Sequence, residues 1–182
     1  QLTCNMETIK GNCWSWAAQA DNKGKTIAII RVYFFDQKKV LMLTNKSLID
    51  KQIEVFNTYS IFHEVQFSEK DCSIYEIAGT SKTKWYAENI AQQDNRAIWL
   101  ETKNFITAIT TKSTSNKLEN RQYEQSHNIN KLFYIINGYP LIDITHSHKF
   151  MPQSLNMESM QGIDYQKGCY IGQEGIAKTK YR

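Results

Sequence analysis

Proline occurs only twice in these 182 residues, at Pro140 and Pro152, cysteine only four times, and no apolar stretch is long. Each shortage removes a class of answers. Cys4, Cys13, Cys72 and Cys169 are too far apart for a zinc pattern and too few for a disulfide framework in a chain of this length, so they read as reduced thiols in a cytoplasmic protein. The longest strongly apolar stretch, TIAIIRVYFF (26–35), is broken by Arg31 and is too short to cross a bilayer, so no membrane association is expected. No Walker loop, GxGxxG, GxSxG or HExxH occurs, which leaves nucleotide hydrolysis, Rossmann cofactor use and serine hydrolysis without support. A concentrated block of basic charge is missing too. The 22 Lys and Arg are scattered among 18 Asp and Glu, so direct nucleic-acid binding is not expected and an anionic small ligand is an equal reading of the net charge of +4. No exposed apolar stripe stands out, and a monomer is expected. An initiating Met is also missing, so the sequence is expected to be a piece of a longer protein.

What is present suffices for a substantial core: 41% of the residues are hydrophobic and 12% aromatic. TIAIIRVYFF and KKVLMLT (38–44), joined at Asp36-Gln37, are rich in β-branched and aromatic residues and predict a hairpin, preceded by a turn at DNKGK (21–25). KSLIDKQIEVFNTYSIF (46–62) puts Leu48, Ile49, Ile53, Phe56 and Tyr59 at helical spacing behind the capping residue Asn45. HEVQFSE (63–69) and CSIYEIAG (72–79) alternate as strands do, and NRAIWLET with NFITAITT predicts a second hairpin. A long helix is predicted over 118–136, stopping at Asn137-Gly138. Strands and helices mix without a βαβα rhythm, which indicates α+β with antiparallel sheets.

Several residue types could carry chemistry. Cys169, in QKGCYIGQEGIAKTKYR (166–182), would sit at or just before a helix N-terminus, where free N–H groups and nearby Lys167 favour a thiolate; alternatively it fills space, as cysteines often do. Gly168 and Gly172 flank it and would serve either close ligand approach or a tight turn. Gln173 and Glu174 could hold the donor edge of a heterocycle and Tyr170 could stack on a ring, although a helix start and a core account for the same residues. Lys23, Lys25, Lys178, Lys180 and Arg182 could line a channel for a polyanionic tail or simply be solvated. His146 and His148 would share one face of a strand, near Asp143, an arrangement open to a metal but without a full ligand set; no metal site is assigned.

KGCYIGQE (167–174) resembles the signature octet of the YgfZ family of folate-binding proteins, which is related to the aminomethyltransferase of the glycine cleavage system. NGYPLID (137–143), FMPQSLNM (150–157), GIDYQ (162–166) and AAQADNKGK (17–25) follow the order and rough spacing of the same family. The resemblance implies a two-lobed α+β body around a tetrahydrofolate, with residues 1–24 and 78–166 as one lobe, 25–77 inserted as the second, and 167–182 as the signature motif. A C-terminal β-barrel would follow; this sequence does not include it. Cys169 would be the thiol on which activity depends, with Lys167, Tyr170, Gln173, Glu174 and Gln153 around the folate and Lys23 and Lys25 facing its glutamate tail. The implied function is an accessory protein, rather than a classical enzyme, that assembles or repairs iron–sulfur clusters in client proteins, tRNA-modifying enzymes among them. The alternative is a folate-dependent one-carbon transferase, using Glu174 or Asp21 as its acid or base. Against it, the transferase's acidic positions fall on Ala28 or Ile29 and on Ile136, none of which can carry a proton.

Overall fold

The computed structural model describes residues 2–7, 9, 13–34, 38–78, 90–93, 97–101, 105–110 and 127–181. Strands β1 (Trp14–Ala20), β2 (Thr26–Phe34) and β3 (Val40–Leu43) form one sheet in the order β1-β2-β3. β2 is buried along almost its whole length, with Ile30 and Val32 fully enclosed, as a central strand requires. It pairs antiparallel with β3, Arg31 opposite Leu43 and Phe34 opposite Val40, so the predicted first hairpin is present; its Asp36-Gln37 turn lies outside the described residues. β1 was not anticipated. WSWAAQA contains no β-branched residue and is buried on both faces, so neither propensity nor alternation marks it.

Helix α1 (Ile49–Tyr59) follows a single 3-10 turn, Lys46–Leu48, whose first N–H groups are met by Asn45: the Asn45 carboxamide oxygen accepts from the Ser47 backbone at 3.0 Å. Leu48, Gln52 and Phe56, one turn apart, form its buried stripe. The helix ends three residues before the predicted limit, because Ile61 and Phe62 point away from any core and are 73% and 93% exposed. The strand expected over 63–69 is not formed. That segment forms no strand among the described residues, and its half-buried Phe67 stacks on Phe56 at 5.0 Å.

The second sheet has the order β4-β7-β6-β5, from β4 (Ser73–Ala78), β5 (Ile90–Gln93), β6 (Ala97–Glu101) and β7 (Phe105–Thr110), all of its pairings antiparallel. β6 and β7 are the predicted second hairpin, and the expected strand at 72–79 is β4. Leu100, Thr107, Ala108 and Ile109 are buried there. Helix α2 (His127–Ile136) ends at Gly138, whose φ of 69° provides the left-handed stop; the upstream part of the predicted helix lies outside the described residues. Helix α3 (Gln173–Tyr181) closes the described chain. The protein is thus α+β with antiparallel sheets. Among the described residues no helix is long and apolar enough to cross a membrane.

The chain separates into two compact units, one of residues 1–9, 15–69 and 139–182 and one of residues 10–14 and 70–138. This division differs from the boundaries near 24/25 and 77/78 that the resemblance implies. A cut at 24/25 falls in the turn joining β1 to β2, neighbours in one sheet, and a cut at 77/78 falls within β4 (Ser73–Ala78), which pairs with β7 inside the second unit.

Thr3 makes several of the bonds that hold the N-terminal segment in the first unit. Thr3, fully buried, donates its hydroxyl to the Gly162 carbonyl and accepts there the Ala18 N–H at 2.8 Å, while its backbone N–H donates to the Ala18 carbonyl and its carbonyl accepts from Asp164. Thr3→Val keeps the volume and strands two buried backbone groups, so urea unfolding should show a loss of about 2 kcal/mol.

Candidate functional site

The site is built on the turn between β1 and β2. The Asp21 carboxylate closes it: Oδ1 accepts the backbone N–H groups of Lys23 and Lys25, each at 2.9 Å, and the Asp21 N–H donates to the Lys25 carbonyl. Oδ2 meets His148 Nδ1 at 2.8 Å. Burial by itself would raise the Asp21 carboxyl, but the His148 hydrogen bond and the two backbone donors outweigh it and hold the group below 3.8. The neighbouring backbone is joined here as well, Thr26 donating to the Phe150 carbonyl and His148 to that of Thr26.

Against this turn the chain lays the start of α3, at a distance that only glycine permits. A Cβ on Gly172, whose φ is 80°, would fall 2.3 Å from the Asp21 carbonyl oxygen; one on Gly175 would fall 2.4 Å from that of Lys23. Gly24, at φ 82°, faces the Gly172 carbonyl and the Ile176 N–H from the other side. Gly172 therefore serves backbone packing, and the room beside it is filled by the turn. Gly168 is the opposite case, with nothing within 4 Å of its Cβ position. Gln153, in the 3-10 turn Pro152–Leu155, fastens the same helix: its Nε2 donates to the Ile176 carbonyl at 2.6 Å.

Between these contacts lies the segment carrying Cys169. Upstream, Asp164 Oδ1 accepts the N–H groups of Gln166 and Lys167, at 2.7 and 3.1 Å. The Lys167 ammonium reaches back across the sequence and donates to the carbonyls of Leu2 (2.7 Å) and Cys4 (2.8 Å), 5.1 Å from the centre of the Tyr170 ring. Burial draws the Lys167 pKa down from its ordinary 10.5. Downstream, Tyr170 is 9% exposed, its hydroxyl enclosed without a hydrogen-bond partner among the described residues, and burial pushes it up to about 12. Gly168 and Cys169, between these two feet, are exposed. Cys169 sits four residues ahead of α3 rather than at its first turn, and the Lys167 charge is directed to the backbone of residues 2 and 4.

The other expected contacts divide by how they are engaged. Glu174 is largely exposed on α3 and accepts from Lys178 one turn on, whose hydrogen bond holds its carboxyl below the usual range. Lys180 pairs with Glu158 at 2.9 Å and lies over the Tyr165 ring at 3.8 Å. Gln173 is half-buried, and its backbone N–H donates to the Tyr170 carbonyl. Lys23 is exposed and Lys25 half-buried, and their backbone N–H groups serve the turn. Gln153 Oε1 is buried and has no hydrogen-bond partner among the described residues. An open cavity of about 430 Å³ lies nearby, lined among others by Cys4, Asn5, Asp164, Tyr165 and Lys180, residues too far apart in the chain for any motif to announce it.

The histidine pair does not form a metal face. Residues 144–146 are a 3-10 turn, not a strand, and each ring takes its own carboxylate, His146 that of Asp143 and His148 that of Asp21. The Thr145 hydroxyl first, then its N–H and His146, hold the Asp143 carboxyl down at about 2. No cluster of three metal-ligating side chains occurs among the described residues. The four cysteines form no disulfide, and burial pushes the Cys4 thiol up to about 11.

Two outcomes test this geometry. Thermal melts of three alanine variants should fall in the order Gly172→Ala, worst, then Gly175→Ala, then Gly168→Ala within about 0.5 kcal/mol of the parent. Because folding depresses the Asp21 carboxyl, its contribution is complete above about pH 4 and is lost as the pH falls through the folded value. The acid limb of a stability-versus-pH curve should therefore be shallower in Asp21→Asn, and an unchanged slope would remove the carboxylate from the turn's support.

No protein-family profile matches the sequence. Curated relatives do. The chain is 30% identical to a tRNA-modifying protein YgfZ of Blochmanniella pennsylvanica, and 26% identical to proteins of the same name from Yersinia pseudotuberculosis and Yersinia enterocolitica. Each alignment takes in 100% of this chain and 60 or 61% of the relative, so the chain spans about three fifths of their length. The similarity extends over the whole of this chain, which is thus similar to proteins of the YgfZ family.

Proposed function

We propose that this chain is the folate-binding body of an accessory protein that supports tRNA modification by sustaining iron–sulfur clusters in client enzymes, with Cys169 as the working thiol. The observation that carries the reading is the exposed Cys169, held between the half-buried Lys167 and the buried Tyr170. The names of the relatives supply the link to tRNA modification. One cysteine offers one thiolate, so a cluster would be a passing cargo that takes its remaining ligands from elsewhere.

The residues suit a tetrahydrofolate. Gln153 Oε1 and the Tyr170 hydroxyl are buried polar atoms with unused hydrogen-bonding capacity, which the edge of a heterocycle can satisfy. Lys23 and Lys25 offer two ammonium groups to the carboxylates of a glutamate tail. Lys167 and Glu174 are already engaged within the protein. Once bound, the folate would supply a one-carbon carrier; the chain's part is to hold its ring and tail.

A one-carbon transferase fits less well. Asp21 is locked into its turn, Glu174 is a surface partner of Lys178, and Ala28 and Ile29 are buried apolar residues. A direct RNA reader is disfavoured because Lys178 and Lys180 are each paired with a carboxylate.

Calorimetry on the full-length protein decides the cofactor. Tetrahydrofolate should bind more tightly as its glutamate tail lengthens, and Lys23→Ala and Lys25→Ala should each weaken the long-tailed form by about fivefold. Cys169→Ser should bind folate normally yet fail to restore client-enzyme activity in cells lacking the protein. No binding of any folate would sink the cofactor assignment, and full restoration by Cys169→Ser would remove the thiol.

A further inference from the structure

The Lys167 ammonium joins the cysteine segment to the far end of the chain. Its two acceptors, the carbonyls of Leu2 and Cys4, lie 165 and 163 residues away, and they belong to the segment that Thr3 fixes against β1 and Gly162. On the signature side, Asp164 holds the Lys167 N–H and is itself tied through its own N–H to the Thr3 carbonyl. Three links therefore connect residues 2–4 to residues 164–167, all at one foot of the Gly168–Cys169 arch. The other foot is Tyr170, packed beneath the same ammonium.

We propose that Lys167 is a positioning residue: its ammonium latches the signature segment to residues 2–4 and so sets where the Cys169 thiol is displayed, rather than contacting the folate. A charged donor bridging two backbone carbonyls in a half-buried place is stronger than a neutral hydrogen bond. Removal of the ammonium leaves the Leu2 and Cys4 carbonyls without their donor and frees the upstream foot of the arch, while Tyr170 and the Gly172 packing keep the downstream foot in place. The proposal rests on Cys169 being the working thiol, and its test keeps the two apart.

The experiment compares full-length protein with Lys167→Met and Lys167→Arg by amide hydrogen exchange, folate calorimetry and restoration of client activity. In Lys167→Met the amides of residues 168–170 should exchange about tenfold faster, as the loss of a charged hydrogen bond implies. Folate affinity should stay within about twofold, since the ammonium is engaged elsewhere, and client activity should fall. Lys167→Arg, whose planar group still offers several donors, should recover most of the protection and activity. Unchanged exchange in Lys167→Met would overturn the latch, and so would a large loss of folate affinity without faster exchange, which would make Lys167 a ligand contact. Should Lys167→Met not fold, Lys167→Gln carries the same comparison. Retained client activity in Cys169→Ser would sink the thiol reading and leave the exchange result standing, so the two failures are distinct.

Discussion

Two stretches of backbone approach so closely, where the Asp21–Lys25 turn meets the first residues of α3, that side chains are excluded from both. That contact sets the rest of the first unit's site. It requires Gly172 and Gly175 on one side and Gly24 on the other, and it requires the turn to hold its shape, which the Asp21 carboxylate ensures by gathering two N–H groups and a histidine. With α3 placed, the chain before it has little freedom. Tyr170 goes inward, Gln153 meets the Ile176 carbonyl, and the two residues between Lys167 and Tyr170 are left outside. The exposure of Cys169 is a consequence of how tightly its flanks are held.

The same contact gives several residues in and beside the octet a task separate from ligand binding. Gly172 has a backbone conformation that other residues adopt at a cost, and its missing Cβ makes room for a carbonyl. Lys167 satisfies two carbonyls that would otherwise be short of donors in a half-buried place. A residue needed for folding and a residue needed for chemistry give the same signal in a sequence motif, and here the geometry separates them: Gly172, Gly175 and Lys167 hold, while Gly168 and Cys169 are displayed.

How much of this was legible follows from the range of the interactions. The two hairpins were readable because β-branched and aromatic runs report on local pairing, and α1 because Leu48 and Phe56 recur at helical spacing behind a capping Asn45. HEVQFSE alternates like a strand yet pairs with no neighbour among the described residues, since alternation says which face is apolar and nothing about whether a neighbour exists. β1 was invisible because both of its faces are covered. At the site, the octet pointed to Cys169, but the roles of its neighbours depend on partners far away in sequence: Leu2 and Cys4 for Lys167, Asp21 for Gly172, Lys23 for Gly175. The histidines show the same limit from the other side. Two residues apart, they suggested one shared face, and a 3-10 turn sent each to a different aspartate.

The distribution of sulfur and carboxylate groups then narrows the chemistry. Cys4 and Cys169 belong to the two segments that Lys167 joins, yet the fold treats them oppositely. Cys4 is buried with its thiol pushed up to about 11, a state in which it is a poor nucleophile, whereas Cys169 is open to solvent. Around them the carboxylates are occupied: Asp164 and Asp21 by backbone N–H groups, Asp143 by its own cap, Glu174 and Glu158 by lysines. A reaction that moves protons on a folate needs an acid or base free to change state, and each of these groups would have to break a turn or an ion pair to do so. A thiol that is exposed, singled out from a buried neighbour and anchored on both sides needs no such release, and its accessibility suits contact with a partner protein better than chemistry in a closed pocket.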